Sequence, residues 1–183
     1  MKSTTVISLM KYFILGCFLV LSINHLSAQS SNIYELTEQD FQNASISKKV
    51  AKSSRSVKST NDFRQGFFDL KKGLKPTIYV NKNKIKKVSG EASPLILKYQ
   101  NSSSLEALKG NSSRLKNVEL LTIKIKNQSE FNNRFDFSSI DGFDSLKYIY
   151  IQCSYKCTAN DISSFILNAD PKIIIFYMVS NPS

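Results

Sequence analysis

The chain has 183 residues, 25 Lys and Arg against 14 Asp and Glu, a formal net charge of +11 and 42% hydrophobic residues. That length and apolar share suit one folded domain and exclude a wholly disordered polyelectrolyte. One histidine, three cysteines and no tryptophan leave little material for histidine-based catalysis or a four-ligand metal site.

Residues 1–28 read MKSTTVISLMKYFILGCFLVLSINHLSA. Lys2 and Lys11 make a positive start, and the apolar run Tyr12 to Ile23 is too short for a membrane span. Small residues close the segment at Leu26-Ser27-Ala28, so it resembles a bacterial secretory signal peptide cut after Ala28. An uncleaved anchor is one alternative. A lipoprotein box at Ile14-Leu15-Gly16-Cys17 is another, but the apolar continuation Phe18 to Leu21 argues against it. Cleavage would leave 155 residues, with no histidine, 23 basic against 14 acidic residues, and two cysteines, Cys153 and Cys157. The expected location is the periplasm or the extracellular space, with no transmembrane span after signal removal.

Residues 29–62 are polar, lack Gly and Pro, and are expected to be a basic flexible arm. Ile33, Leu36 and Phe41 allow a short helix entered at Thr37. Lys48 to Lys58 holds five basic residues and no acid, which suits either a solvated linker or a contact with a polyanion. No aromatics are interleaved there, and this, with export, argues against nucleic acid. Residues 63–93 are expected to be an N-terminal capping segment. FRQGFFDLKKG predicts one or two helical turns ending at Gly73, Pro76 to Val80 predicts a strand, and NKNKIKKVSG predicts a basic turn region. Residues 29–100 carry 14 basic and 6 acidic residues, against 9 and 8 in 101–183, so the positive field belongs to the first half.

Residues 94–183 contain a repeat. PLILKY (94–99), LLTIKI (120–125), LKYIYI (146–151) and PKIIIF (171–176) start 26, 26 and 25 residues apart. Each has an apolar pair spaced by two, which places both residues on one strand face: Leu97 and Tyr99, Ile123 and Ile125, Ile149 and Ile151, Ile174 and Phe176. The links suit helices or turns. Ser103-x-x-Glu106 resembles a capping box, a short helix there would stop at Gly110, and Asn160 is placed to cap DISSFILNA. Units of this size bury their apolar faces by stacking, with strands parallel.

The ladder resembles a leucine-rich-repeat array, most clearly in LKNVELLTIKI and FDSLKYIYI. Gln128 and Ser154 stand where that family has its turn Asn or Cys, so a regular turn is not implied. The expected fold class is α/β: a short leucine-rich-repeat-like solenoid with parallel strands, preceded by a disordered arm and a capping segment. A compact α/β or β-rich domain is the alternative.

Cys153 ends the third strand and Cys157 follows across a tight turn, so in an oxidising compartment the pair can form a disulfide. The alternative is a small core side chain and a free thiol. The second strand face would carry Lys98, Lys124, Tyr148, Tyr150 and Tyr177. By resemblance, this is the face that binds a protein partner, and tyrosine is a good anchor there. Packing, or cover by residues 63–93, is the plainer reading. No phosphate loop, G-x-S-x-G or metal cluster occurs. Asp136, Asp141 and Asp144 match no Ca²⁺ loop and read as solvated turn carboxylates. No cofactor, metal or catalytic residue is expected. The leading functional reading is an exported, non-enzymatic protein-binding module. The alternative is a basic, envelope-associated module that binds anionic surfaces through Lys48–Lys87.

Overall fold

The computed structural model describes residues 32–46, 62–82, 84–100 and 107–180. The expected signal segment, the basic run Lys48 to Lys58 and the Ser103–Glu106 capping box lie outside the described residues. The chain enters through strand β1 (Ile33–Glu35), then helix α1 (Glu38–Ile46) and helix α2 (Asp62–Lys71). Thr37 caps α1 as expected: its amide and hydroxyl donate to the Asp40 carboxylate, and the Asp40 amide donates back to the hydroxyl. Residues 33–46, expected within a flexible arm, therefore belong to the fold. Leu36 and Ala44 are buried, and Arg64 of α2 ties back to Asp40 at 2.9 Å.

Strands β2 (Thr77–Asn81), β3 (Lys84–Ser89), β4 (Ile96–Tyr99), β5 (Leu120–Ile125), β7 (Tyr148–Cys153) and β9 (Ile174–Val179) join β1 in one seven-stranded sheet. Its order is β1-β9-β7-β5-β4-β2-β3. Only β2 and β3 are antiparallel, so the expected basic turn is in fact a hairpin with an edge strand. A bulge opposite Tyr79 and the exposed Lys84, Lys86 and Lys87 keep that edge from pairing further. The four strands expected from the repeat are parallel and lie side by side in chain order. Two short strands, β6 (Phe135–Asp136) and β8 (Ile166–Leu167), form a second parallel ladder in the links.

The strand faces differ from expectation in one place. Leu97, Leu121, Ile149 and Ile175 are level, and so are Tyr99, Ile123, Ile151 and Tyr177. Ile174 and Phe176, expected with the first set, point to the other face. A continuous apolar run such as IIIFYMV carries no period-2 signal, so its parity is not readable in the sequence. The first face packs against the links, burying Leu108, Leu115, Val118, Phe135 and Ile140. Helix α3 (Ser112–Leu115) and helix α4 (Ala159–Phe165) belong to these links. Thr158, not Asn160, caps α4: it forms a capping box with Asp161, and Asn160 lies inside the first turn.

The second face is covered by α1 and α2. Phe67 and Phe68 of α2 are buried with Leu120, Tyr148, Tyr150 and Phe176. The Phe67 ring sits 4.6 Å from Phe176 and 5.3 Å from Tyr150. Gly66 makes the close approach possible, since a Cβ there would lie 2.5 Å from the Tyr148 hydroxyl. The molecule is thus an α/β fold whose mostly parallel sheet is covered on both faces.

Candidate functional site

The structure disperses the residues expected to form a partner platform. Tyr148 is 8% and Tyr150 1% exposed, both beneath the aromatic side of α2. Tyr177 lies on the opposite face, 5% exposed, and its hydroxyl donates to Glu35 at 3.0 Å. Lys124 is exposed on β5, and Lys98 is half-buried on β4. The open tyrosine-lined face is therefore corrected to an interior layer. The signal was present in FRQGFFDLKKG, where Phe63, Phe67 and Leu70 recur at helical spacing and require an apolar surface to lie on.

Cys153 and Cys157 come together as a disulfide pair, with Cα atoms 6.5 Å apart and both residues buried. Asp136 accepts from the Ser138 amide and hydroxyl and from Asn168, and these bonds, Asn168 first, hold its carboxyl below the usual range. It is a turn carboxylate. Among the described residues, no group of three or more His, Cys, Asp or Glu could hold a metal ion. No helix among them is long and apolar enough to cross a membrane.

A cavity of about 410 Å³ opens between the end of α2 and the β2–β3 end of the sheet. Its floor is Tyr79, Lys98 and Thr122, with Ile96 and Leu120 beside them. The end of α2 supplies Leu70 and Lys71. The turn to β2 supplies Leu74 and Lys75, and Ser89 to Ala92 close the far wall. Gly73, at φ +73°, makes this turn and ends the helix where expected.

Two lysines line this space, and their ammonium groups lie over rings on either side of it. Lys71 Nζ lies 4.6 Å from the centroid of the Tyr150 ring, and Lys98 Nζ lies 5.4 Å from that of Tyr79. Burial, and then repulsion from Lys98, pull the Lys71 amine down to about 8. Burial pushes the Tyr150 phenol up to about 12. Neither lysine has a carboxylate within ion-pair distance among the described residues. Thr122, 6% exposed, has no hydrogen-bond partner for its hydroxyl among them.

Comparison with protein-family models, curated proteins and solved structures finds no match. The cavity mouth is the most exposed apolar point described: Leu74 is 104% exposed, within the run Lys71-Lys72-Gly73-Leu74-Lys75. Lys87 and Ser89 of β3 pair with Tyr79 and Thr77, so they share this side of the sheet. Val88, the other large exposed apolar residue, pairs with Ile78 on the opposite side.

Proposed function

We propose that this chain is an exported, non-enzymatic module that binds an anionic surface through the lysine-rich end of its sheet. The observation that carries the reading is Leu74, a fully exposed leucine held on a tight turn between lysines. Such a tip suits insertion into the interfacial region of an anionic membrane. Burying one leucine contributes about 1.5–3 kcal/mol, and each lysine near the surface adds about 1 kcal/mol at moderate salt. Lys75 and Lys87 are placed to add this term, with Lys82, Lys84 and Lys86 on the adjoining hairpin, whereas the Lys72 ammonium is held by the Ala44 carbonyl. The rest of the fold is the scaffold. We read it as a short leucine-rich-repeat-like stack, supported by the in-order parallel strands and the second ladder of β6 and β8.

Co-sedimentation with vesicles tests this. The protein should bind vesicles containing phosphatidylglycerol and not vesicles of phosphatidylcholine alone. Leu74→Asn should weaken binding about tenfold, the equivalent of about 1.4 kcal/mol. The combined change Lys84→Glu, Lys86→Glu and Lys87→Glu should remove most of the salt-sensitive part. Equal binding to both vesicle types, or no effect of Leu74→Asn, would refute the reading.

A further inference from the structure

We infer that the cavity beside Leu74 is a phosphate-binding site, with Lys71, Lys98 and Thr122 as its ligands. The inference rests on the proposed surface binding for the source of the phosphate, an anionic lipid headgroup. Its chemistry stands on the cavity itself.

Among the described residues, the buried Thr122 hydroxyl has no hydrogen-bond partner, and neither Lys71 nor Lys98 has a carboxylate partner. A buried hydroxyl without a hydrogen bond costs about 1–3 kcal/mol, and Thr122 is in that position. Lys71 and Lys98 both line the cavity, and the described contacts of their ammonium groups are with the Tyr150 and Tyr79 rings. Among the described residues, Glu91 is the one acid lining the cavity, and it is exposed at the wall. A tetrahedral oxyanion answers all three needs. It offers several acceptor oxygens, carries one or two negative charges against two positive ones, and accepts from a hydroxyl. A carboxylate has fewer oxygens and a single charge. The apolar wall of Leu70, Ile96, Leu120 and Ala92 suits the carbon skeleton attached to the phosphate. A volume of about 410 Å³ lies in the range of small-ligand sites.

Occupation has a built-in reporter. An anion between the ammonium groups screens their repulsion, so phosphate should move the Lys71 amine up from about 8 towards the ordinary lysine value. A soluble competitor separates this site from surface binding.

The experiment titrates the full chain with inorganic phosphate, glycerol phosphate and acetate. Calorimetry gives affinity, and NMR of labelled lysines follows the Lys71 titration. Wild type should bind glycerol phosphate and inorganic phosphate, bind acetate at least tenfold more weakly, and show the upward Lys71 shift. Lys71→Met and Lys98→Met should each weaken phosphate at least tenfold, and Thr122→Val about fivefold. Far-UV circular dichroism confirms that each variant is folded, and Lys71→Met should be at least as stable as wild type because it removes a buried charge. Acetate binding as well as phosphate would overturn the choice of ligand class. Vesicle binding without any phosphate binding would overturn the site and leave the surface reading intact. Phosphate binding without vesicle binding would uphold the site, assign its ligand to soluble phosphates and defeat the surface reading.

Discussion

Phe67→Ala tests whether α2 seals the second face of the sheet. Phe67 is fully buried, and its ring lies within 4.6–6.1 Å of Phe176, Tyr150, Tyr148 and Phe68. A phenylalanine buries about 150–250 Å², which at about 25 cal/mol per Å² corresponds to about 4–6 kcal/mol as an upper bound. Truncation to alanine keeps one methyl, leaves a cavity and removes ring contacts, so the expected loss is about 3–5 kcal/mol. That is a large part of the 5–15 kcal/mol typical of a domain. Urea unfolding followed by far-UV circular dichroism measures it, with the midpoint falling and the slope unchanged. Tyrosine ionisation gives a second readout: burial pushes both Tyr150 and Tyr155 up to about 12, and of the two only Tyr150, followed by NMR of labelled tyrosines, should move down towards 10 once the helix no longer shields it. If α2 did not lie on the sheet, Phe67 would face water, and alanine, the better helix former, would be neutral or slightly stabilising. A loss below about 1 kcal/mol with an unmoved phenol would therefore refute the covered face.

Three further expectations come from other parts of the fold. The Cys153–Cys157 bond closes a short loop, the two cysteines being 4 apart in sequence, so its reduction by dithiothreitol should lower unfolding stability by only about 2 kcal/mol; free thiols at both positions in the untreated protein would contradict the bond. Gly142 has φ +98°, and a Cβ there would lie 2.5 Å from the Ser112 backbone, so Gly142→Ala should cost about 2 kcal/mol or more. Gly110, at φ +71° with open space around it, should lose only about 1 kcal/mol on the same change, and the reverse order in denaturant midpoints would contradict this geometry. At Asp40 burial raises the carboxyl pKa, but the Thr37 and Arg64 contacts outweigh it and leave the value lowered. Its stabilisation is therefore complete above the unfolded pKa of about 3.9 and fades as pH falls through the folded value. Asp40→Asn should cost about 1 kcal/mol at pH 7, and a gap from wild type that does not close towards pH 2 would contradict the assignment.

The sequence by itself determined the local units. Alternation in LLTIKI and LKYIYI marked β5 and β7, Thr37 marked the start of α1, and Gly73 marked the end of α2. Their near-regular spacing also pointed to parallel neighbours, because units of that length cannot bury an apolar face except by stacking. These are short-range signals, set by side-chain period and backbone preference. What lies against each face is a long-range matter that only the tertiary structure decided. Tyr148 and Tyr150 read equally well as an open platform or as a buried layer until α1 and α2 are placed over them. The run IIIFYMV has no polar residue to mark its outward side, so the pairing with β7 decided that Tyr177 faces Ile151 and Phe176 faces Tyr150. The lysine-lined cavity was the least legible feature. Lys71, Lys98 and Thr122 are far apart in the chain and polar in different elements; the pairing of β4 with β5 sets Lys98 beside Thr122, and the end of α2 brings Lys71 to the same cavity.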